Sequence, residues 1–382
     1  MSAGAVERAA NRSRPVPGVA QMRIAVAVSG GVDSAVAAAL VQAQGHEVVG
    51  VHLLMGTASV PETDDARRVA ERLGIDLVVR DLCGPFAERV VDYFVDSYTQ
   101  GRTPNPCLRC NRGVKFAGLL AMSRAEGFDA VATGHYARIT RSEEGPAELR
   151  RAADRRKDQS YVLAVLDQES LARLVFPLGE LASKDEVRAL AARLGLPVAD
   201  KPDSTDICFV TAGGAGRFPA GRLPERPGDI VDADGVVIGH HAGTHHFTIG
   251  QRRGLRLTRP AADGAPRYVT GIDAGANIVR VGPADALLVD ELVAERLLLT
   301  GPPLPDGWHG AAQFRAHGAA CPAVVHHDDE RVRVVFDEPV PSVAPGQFVV
   351  LYDGDVVRGC AEITATRRAG ASGGPGAGAV RA

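Results

Sequence analysis

At 382 residues the chain is long enough for two or three domains, and its 45% hydrophobic and 23% charged residues are typical of a globular protein. The net charge of −3 excludes general attraction to nucleic acid, so such a partner would need local basic patches. No apolar run reaches the roughly 18 residues of a membrane span, and six cysteines without a secretion signal indicate reduced thiols in the cytoplasm.

The first part of the chain alternates short apolar runs with amphipathic segments. Residues 1–21 are expected to form a disordered arm, and residues 22–213 to form one α/β domain with a doubly wound parallel sheet. The predicted strands cover residues 24–28, 47–54, 76–80 and 129–133, and the predicted helices cover residues 34–44, 64–73, 86–98, 113–126, 168–175 and 184–194. Ligands of such sheets bind beyond the carboxyl ends of the strands.

The helical period disappears after a Gly/Pro-dense stretch at residues 213–228. Residues 214–288 give short strands with turns such as Asp234-Gly235, and residues 289–367 give β-branched runs. We therefore expect two small β-rich domains, the last of them a β-barrel. The Gly/Ala-rich residues 368–382 predict a disordered tail.

The turn from Ser29 to Asp33 joins the first strand to the first helix. Its adjacent glycines let the backbone approach an anion, and the free N–H groups of the helix start supply donors. Tight packing alone would also explain two glycines, but not the flanking Ser29, Asp33 and Ser34. A Walker lysine and a third glycine in register are both missing. Ser-Gly-Gly-Val-Asp-Ser instead resembles the pyrophosphate loop (PP-loop) of ATP pyrophosphatases.

Three cysteines occupy segments that are expected to be loops. Cys107 and Cys110 form a Cys-x-x-Cys pair in the proline-flanked loop 102–111, and Cys208 lies in the loop 200–209. Persulfide chemistry, an iron–sulfur cluster with one open iron and a zinc site are all compatible with three thiols, although zinc lacks a fourth ligand. The other three cysteines, namely Cys83, Cys321 and Cys360, are expected to be buried and inert.

Four histidines lie close together in the β-rich region, at His240, His241, His245 and His246. Their spacing in a turn-rich segment favours surface or packing roles over metal binding.

A series of motifs in order identifies a close family resemblance. The motifs, which span about residues 22–366, are Ser-Gly-Gly-Val-Asp-Ser at 29–34, Gly-Arg-Thr-Pro-Asn-Pro at 101–106 with Cys110-Asn111, Ala-Thr-Gly-His-Tyr at 132–136, Lys-Asp-Gln-Ser-Tyr at 157–161, Asp-Ser-Thr-Asp-Ile-Cys-Phe at 203–209, Ile-Gly-Gln-Arg-Arg-Gly-Leu at 249–255, Phe-Asp-Glu-Pro-Val at 336–340 and Ala-Pro-Gly-Gln at 344–347. Together they resemble the tRNA-specific 2-thiouridylases, which implies a PP-loop domain of the adenine nucleotide α-hydrolase-like fold.

The resemblance implies that sulfur replaces the C2 oxygen of the wobble uridine in the tRNA anticodon loop. The enzyme would use ATP with Mg²⁺ to adenylate that oxygen and would release pyrophosphate and then AMP. The residues implied in ATP binding are Ala27, Val28, Ser29, Gly30, Gly31, Val32, Asp33 and Ser34, with Leu53 and Gly134 lining the adenosine pocket and Asp33 near the metal.

For sulfur transfer, the resemblance implies a persulfide on Cys208 and a nucleophilic or resolving thiol at Cys110, with a transient Cys110–Cys208 disulfide or release of sulfide. Some relatives have Asp at position 107. Because this chain has Cys107 there, a [4Fe-4S] cluster on Cys107, Cys110 and Cys208 stays an alternative to the persulfide.

The resemblance also implies contacts to tRNA and a protein that donates sulfur, such as a cysteine desulfurase or a sulfur relay protein. Residues implied in tRNA contact are Asn105, Pro106, Cys107, His135, Lys157, Asp158, Gln159 and Gln347. Two arginine-rich groups, at residues 138–157 and at Arg252, Arg253 and Arg256, are candidates for phosphate contact.

Three other functions remain open at this stage. A 4-thiouridine synthase would carry a different RNA-binding module, and an amide-forming ligase would need ammonia delivery. A non-catalytic RNA-binding protein with a degenerate nucleotide site is disfavoured by the intact Ser29, Asp33 and Ser34.

Overall fold

The computed structural model describes residues 21–56, 59–142, 145–203, 207–209, 222–259, 263–328 and 331–368. The predictions of a disordered arm up to residue 20, of a boundary stretch between residues 213 and 221, and of a tail from residue 369 concern segments outside the described residues.

The first domain is built on a five-stranded parallel sheet, which confirms the doubly wound α/β prediction. The spatial order is β3-β2-β1-β4-β7. The strands are β1 (Arg23–Ala27), β2 (Glu47–Leu54), β3 (Asp76–Asp81), β4 (Ala130–Ala132) and β7 (Leu174–Val175). Ile24 of β1 faces Val48 on one side and Ala130 on the other, so the central strand is buried between apolar neighbours.

Helices cover both faces of this sheet. They are α1 (Val32–Ala43), α2 (Ser59–Leu73), α3 (Cys83–Phe86), α4 (Tyr93–Thr99), α5 (Pro106–Cys110), α6 (Phe116–Ala125), α7 (Ser160–Leu163), α8 (Gln168–Arg173) and α9 (Lys184–Arg193). Two π-helical turns, Ala87–Asp92 and Asn111–Lys115, connect α3 to α4 and α5 to α6.

Two sequence predictions in this domain are wrong. The Cys-x-x-Cys segment is not a loop, because Pro106 occupies the first helical position of α5 and the Asn105 side chain accepts a hydrogen bond from the Cys107 N–H at 3.2 Å. The predicted helix at residues 168–175 ends at Arg173, because β7 then pairs with β4 at the edge of the sheet.

The central domain is a four-stranded sheet in the order β10-β11-β8-β9. Its strands are β8 (Gly228–Val231), β9 (Val237–His241), β10 (Tyr268–Asp273) and β11 (Ile278–Gly282). Asp234-Gly235 lies in the turn between β8 and β9, as predicted. A short 3₁₀-helix, Thr244–His246, follows β9, and a second one, Ala284–Leu287, leads into the last domain.

The last domain is a closed six-stranded antiparallel barrel, as predicted. Its strands are β12 (Leu288–Leu299), β13 (Trp308–Gln313), β14 (Cys321–His327), β15 (Arg331–Pro341), β16 (Phe348–Asp353) and β17 (Val356–Arg367). Pairing of β12 with both β15 and β17 closes it. Closure leaves no free barrel edge.

The first domain and the barrel share a sheet and a hydrophobic core. A hairpin of the first domain, β5 (Ala137–Thr140) and β6 (Glu148–Arg151), pairs with β17 through Arg150 and Val356. The buried Tyr161 hydroxyl donates to the Phe348 carbonyl at 2.8 Å. The barrel is therefore fixed against the domain that carries the nucleotide turn.

Every helix among the described residues is too short or too polar to cross a membrane.

Candidate active site

The turn after β1 has the geometry of an anion cradle. Gly30 has a φ of 77°, and a Cβ there would lie 2.4 Å from the Glu62 carbonyl oxygen, so only glycine fits. Gly31 precedes α1 without a side-chain cap, which leaves N–H groups of the helix start available to a ligand. The Ser34 hydroxyl accepts from the Ser29 N–H at 3.1 Å and shapes the turn.

Side chains of the predicted ATP-binding stretch divide into two groups. Val28, Val32 and Ser34 are buried, so a ligand would meet the backbone at those positions. Ser29 is exposed, whereas Ala27 and Leu53 are half-buried. Both pack against the hydrophobic core that the first domain shares with the barrel.

Gly134 contacts this turn directly. A Cβ at Gly134 would lie 2.8 Å from both the Asp33 carbonyl carbon and the Ser34 nitrogen. Because these are backbone atoms, they do not yield as a flexible side chain would. The end of β4 and the start of α1 therefore meet without space for a side chain.

Asp33 lies in a network of charges that sequence analysis did not identify. Its carboxylate accepts from Lys184 at 2.6 and 2.7 Å and from the Tyr136 hydroxyl at 2.6 Å. Lys184 also lies 3.0 Å from Asp203, which in turn contacts Lys157 at 2.9 Å. Burial alone would raise the pKa of Asp203, but hydrogen bonds from these lysines lower it to about 2.

Two more cations border the turn. Lys201 donates to the Gly30 carbonyl at 3.0 Å and to Asp65 at 2.6 Å, while Arg188 contacts Asp203 at 2.7 Å. These cations lie far from the turn in sequence. No local motif links them to it, so the sequence does not predict that they meet. They surround the cradle with the charge that polyphosphate requires.

The residues 157–159 differ in what they offer to a ligand. Asp158 accepts from the Arg151 guanidinium and the Ser160 hydroxyl at 3.0 and 2.8 Å, and Gln159 accepts from the Tyr136 N–H at 2.9 Å. Asp158 and Gln159 thus hold neighbouring segments of the first domain together, whereas Lys157 is half-exposed and pairs with Asp203.

His135 follows Gly134, the residue that packs on the nucleotide turn, and lies near Lys115. Its Nδ1 is 2.7 Å from the Thr133 hydroxyl, and its ring packs on Phe116 with a centroid distance of 5.5 Å. Burial lowers the pKa of His135 well below its usual value, and Lys115 adds to this effect. The ring is therefore neutral at neutral pH.

Helix α5 presents the first two cysteines differently. Cys107 is exposed at the start of the helix, whereas Cys110 is 6% exposed and packs with Val90 and Val114. The barrel holds the preceding segment, because the Thr103 N–H donates to the Pro345 carbonyl at 2.9 Å and the Gln347 amide donates to the Thr103 carbonyl at 2.8 Å. Gln347 therefore fixes the approach to α5.

Phe209 positions the third cysteine. Its ring packs edge-on against Phe86 and Phe94 at centroid distances of 5.5 and 5.4 Å. Phe209 thereby joins the cluster that contains Cys110. Cys208, next to it in the chain, is exposed and close enough to Cys110 and Cys107 for their charges to raise its pKa.

The three thiols share one cation, which sequence analysis missed. Desolvation by the surrounding protein raises the pKa of Cys107 and Cys110, and raises that of Cys208 to about 11 with a contribution from Cys110, although Cys107 and Cys208 remain accessible to solvent. Lys115 lowers the pKa of all three. The π-helical turn after α5 places its N–H against the Cys110 sulfur, and such turns occur often at functional sites.

A zinc site does not match this arrangement of thiols. Among the described residues, the sulfurs of Cys107, Cys110 and Cys208 do not all lie within 4.8 Å of one another. Thiolate ligands of tetrahedral zinc lie only about 3.8 Å apart. All six cysteines are free thiols, so the state described is reduced.

Helix α5 is also tied to the barrel by a buried carboxylate. Glu362 of β17, 4% exposed, lies 2.8 Å from Arg109 and pairs with Arg296. Arg109 lies over the Tyr93 ring at 4.2 Å. Arg109, Arg112, Arg296 and Glu362 line a small open cleft beside α5.

The two predicted arginine groups differ in their availability. Of the group at residues 138–157, Arg138 and Arg155 pair with Asp355, and Arg151 pairs with Asp158. Three arginines on the central domain, namely Arg252, Arg253 and Arg256, are instead exposed.

Three family models match the chain in succession. They are described as a tRNA methyl transferase HUP domain at residues 22–212, a tRNA methyl transferase PRC-barrel domain at residues 217–283 and an aminomethyltransferase β-barrel domain at residues 289–363.

Curated relatives match nearly the whole chain. Proteins named tRNA-specific 2-thiouridylase MnmA are 51% identical in Acidothermus cellulolyticus, covering 91% of this chain and 99% of the relative, and 50% identical in Streptomyces avermitilis, covering 91% and 96%. The relative in Mycolicibacterium smegmatis is 49% identical and covers 90% and 99%.

Solved structures match more distantly. The U34-tRNA thiolase NcsA from Methanococcus maripaludis, solved with its [4Fe-4S] cluster, is 17% identical over 57% of this chain and 71% of that chain, with a TM-score of 0.37. At this TM-score the similarity supports no conclusion about the site.

Proposed function

We propose a reaction path for this chain on the premise that it belongs to the tRNA-specific 2-thiouridylase family and forms 2-thiouridine in tRNA. The family fixes the product. The roles of individual residues, the nucleotide, the sulfur carrier and the contacts to tRNA are our proposal.

ATP binds at the turn after β1 in this proposal. Backbone N–H groups at Gly31 and beyond, together with the Ser29 hydroxyl, hold the phosphates, and Lys184 and Lys201 neutralise them. Leu53 and Gly134 line the adenosine pocket. The uncapped start of α1 and the positive φ of Gly30 support this assignment.

A divalent metal requires a rearrangement of Asp33. Its carboxylate fits a hard cation such as Mg²⁺ by its chemistry, yet both oxygens already accept from Lys184. Arrival of the nucleotide phosphates would attract Lys184 and free Asp33. The ion would supply charge neutralisation for the leaving pyrophosphate.

In the first step the C2 oxygen of the wobble uridine attacks the α-phosphate of ATP, and pyrophosphate leaves. The C2 carbon then carries AMP as a good leaving group. The target base must be turned out of the anticodon loop to reach this site. Asn105, Pro106 and Cys107 at the start of α5, with His135 beside them, are proposed to meet it.

In the second step the terminal sulfur of a Cys208 persulfide attacks C2 and AMP departs with its electron pair. The Cys110 thiolate then attacks Cys208 Sγ, so the S–S bond of the persulfide breaks, sulfur stays on uridine and a Cys110–Cys208 disulfide forms. A thiol reductant must supply two electrons to restore the thiols. The observation that carries this proposal is the anchoring of Phe209 beside Cys110, since it brings Cys208 to α5.

The iron–sulfur alternative uses the same three thiols. Cys107, Cys110 and Cys208 supply the donor set for a [4Fe-4S] cluster with one open iron, which would supply a binding point for sulfide. Cys107 supports this alternative, because the persulfide path gives it no role in the transfer.

The sulfur donor is proposed to be a persulfide-carrying protein of the desulfurase or relay class, and the exposure of Cys208 supports such an encounter. Exposed Arg252, Arg253 and Arg256 are proposed to contact tRNA phosphates, together with Lys157.

One experiment distinguishes the two sulfur carriers. The protein is purified without oxygen, and its iron, sulfide and 2-thiouridine-forming activity are measured with ATP, tRNA and either a persulfide donor or free sulfide. Iron-free protein that is active with the persulfide donor supports the persulfide path. Activity that follows iron content and free sulfide overturns it in favour of the cluster.

A further inference from the structure

Two histidines and a glutamate converge in the central domain, away from the cysteines. His245 and His246 lie on the 3₁₀-helix Thr244–His246, and Glu225 lies just before β8. One ligand atom from each residue lies within 4.8 Å of the other two. The Nε2 atom of His246 is 3.1 and 3.3 Å from the two oxygens of Glu225.

The buried histidine of this group lacks a hydrogen-bond partner at its Nε2 atom. His245 is 6% exposed, and its Nε2 has no partner among the described residues. A buried polar atom without a partner costs stability, and most such atoms in proteins are satisfied. The His245 and His246 rings are in contact, with a centroid distance of 4.2 Å and an interplanar angle of 42°.

The surrounding backbone holds these side chains in position. A Cβ at Gly243 would lie 2.4 Å from Cε1 of His245, so the ring packs directly on the glycine. The Asn277 side-chain amide donates to the carbonyls of Arg226 and Pro227 at 3.2 and 2.7 Å. The segment that carries Glu225 is thereby fixed beside the histidines.

We propose that Glu225, His245 and His246 bind one Zn²⁺ ion, with a fourth position open to water. Two imidazoles and one carboxylate suit zinc, whereas Mg²⁺ and Ca²⁺ prefer oxygen ligands alone. Ligand atoms on tetrahedral zinc lie about 3.3 Å apart. The His246–Glu225 distance already meets this value, and a ring nitrogen of His245 lies within 4.8 Å of both partners.

The nearby His240 is engaged separately, with its Nδ1 2.8 Å from Asp229.

The site lies beside the contact between the central domain and α4. The 3₁₀-helix Thr244–His246 packs against α4, and Tyr98 of α4 hydrogen-bonds the side chain of Thr248. Gly101, just after α4, packs against Ile272 of β10. A zinc ion at this turn would therefore stabilise the contact between the central domain and the segment that leads to α5.

The test uses full-length protein in which Cys107, Cys110 and Cys208 are changed to Ser, so that their thiols do not bind zinc. Metal-free protein competes for Zn²⁺ with a chromogenic zinc indicator, and stoichiometry and affinity are measured. We expect one equivalent, and a zinc-dependent rise in the melting temperature. Glu225→Ala and His246→Ala should each weaken binding at least about 10-fold.

The matched control is His240→Ala, because His240 also pairs with a carboxylate but has no third ligand. The His240→Ala variant should still bind one equivalent of zinc. Glu225 and His246 are not core residues, so their variants stay informative even if His245→Ala fails to fold. No bound equivalent in the parent protein, or an equivalent insensitive to both Glu225→Ala and His246→Ala, would overturn the proposal.

Discussion

The ammonium of Lys184 lies 2.6 and 2.7 Å from the two carboxylate oxygens of Asp33, although 151 positions separate the residues in the chain. The pair ties α9 to the start of α1, directly beside the turn proposed to bind ATP. Asp33 is therefore an occupied carboxylate whose partner must move before it binds a metal ion.

Asp33→Ala should lower tRNA-dependent pyrophosphate release by about 100-fold, the effect of removing one well-placed electrostatic group. Lys184→Met should lower it as well, because the phosphates lose a cation. Pyrophosphate release is measured with a coupled assay. Asp64→Ala is the control, since Asp64 is exposed and pairs only with Arg67 on α2; unchanged release in Asp33→Ala would remove that residue from the adenylation step.

Cys110→Ser and Cys208→Ser should each abolish 2-thiouridine formation while leaving pyrophosphate release in place. The hydroxyl cannot carry or resolve a persulfide, but adenylation does not use either thiol. Nucleoside mass spectrometry measures the product. Cys321→Ser serves as the control because this thiol lies on barrel strand β14, and normal thiolation in either test variant refutes the assigned sulfur chemistry.

Alkylation of Cys208 by iodoacetamide should accelerate about tenfold for each pH unit between pH 7 and 10. The thiolate is the reactive form, and the pKa of Cys208 is raised to about 11, so its population keeps increasing through this range. Lys115→Met should slow alkylation, because loss of the ammonium raises the thiol pKa further; Lys115→Arg should preserve it. Peptide mass spectrometry measures the rates, and a plateau near pH 8 would contradict the expectation.

Gly134→Ala should weaken ATP binding by 10-fold or more, because the new methyl group would overlap backbone atoms of Asp33 and Ser34 at 2.8 Å. Isothermal titration calorimetry measures the affinity. Gly84→Ala is a suitable control, since a Cβ there meets no atom within 4 Å. Equal affinities in the two variants would show that the turn tolerates displacement.

Glu362→Gln should destabilise the protein by about 3 kcal/mol, because it leaves the charges of Arg109 and Arg296 without their buried partner. It should also lower thiolation through the displaced α5. Urea unfolding is the measurement. Glu169→Gln breaks an exposed pair with Arg124 and should cost less than about 1 kcal/mol; similar losses in both variants would argue against a special role for the buried carboxylate.

The fold was largely predictable because the parallel strands are short β-branched runs bounded by glycines. The segment Glu47–Leu54 was predicted with its observed bounds. The helix at Pro106–Cys110 was not predicted, because two prolines and an asparagine are equally typical of a loop. Only the observed hydrogen bond of the Asn105 cap distinguishes the helix from a loop. Leu174–Val175 was predicted as the end of a helix, but it forms a strand because it pairs with β4.

The candidate site was less predictable than the fold, because its charges come together only in three dimensions. Neither Lys184 nor Lys201 forms a local motif, and each reaches the turn from more than 130 positions away. Lys115 follows Cys110 by five residues, and a π-helical turn places residues five apart on the same side of the helix. The sequence spacing was therefore a usable indication of the Lys115–Cys110 contact. The four histidines were predicted to have surface or packing roles. His245 is indeed buried, but its Nε2 has no hydrogen-bond partner among the described residues.

The pairing of Arg150 with Val356 has a consequence for biosynthesis. The β5–β6 hairpin leaves the ribosome about two hundred residues before its strand partner β17, which at bacterial rates of synthesis corresponds to roughly 10 to 40 s. During this interval the hairpin edge is open to foreign strands. A C-terminal truncation that removes β17 would leave this edge of β6 permanently without its partner.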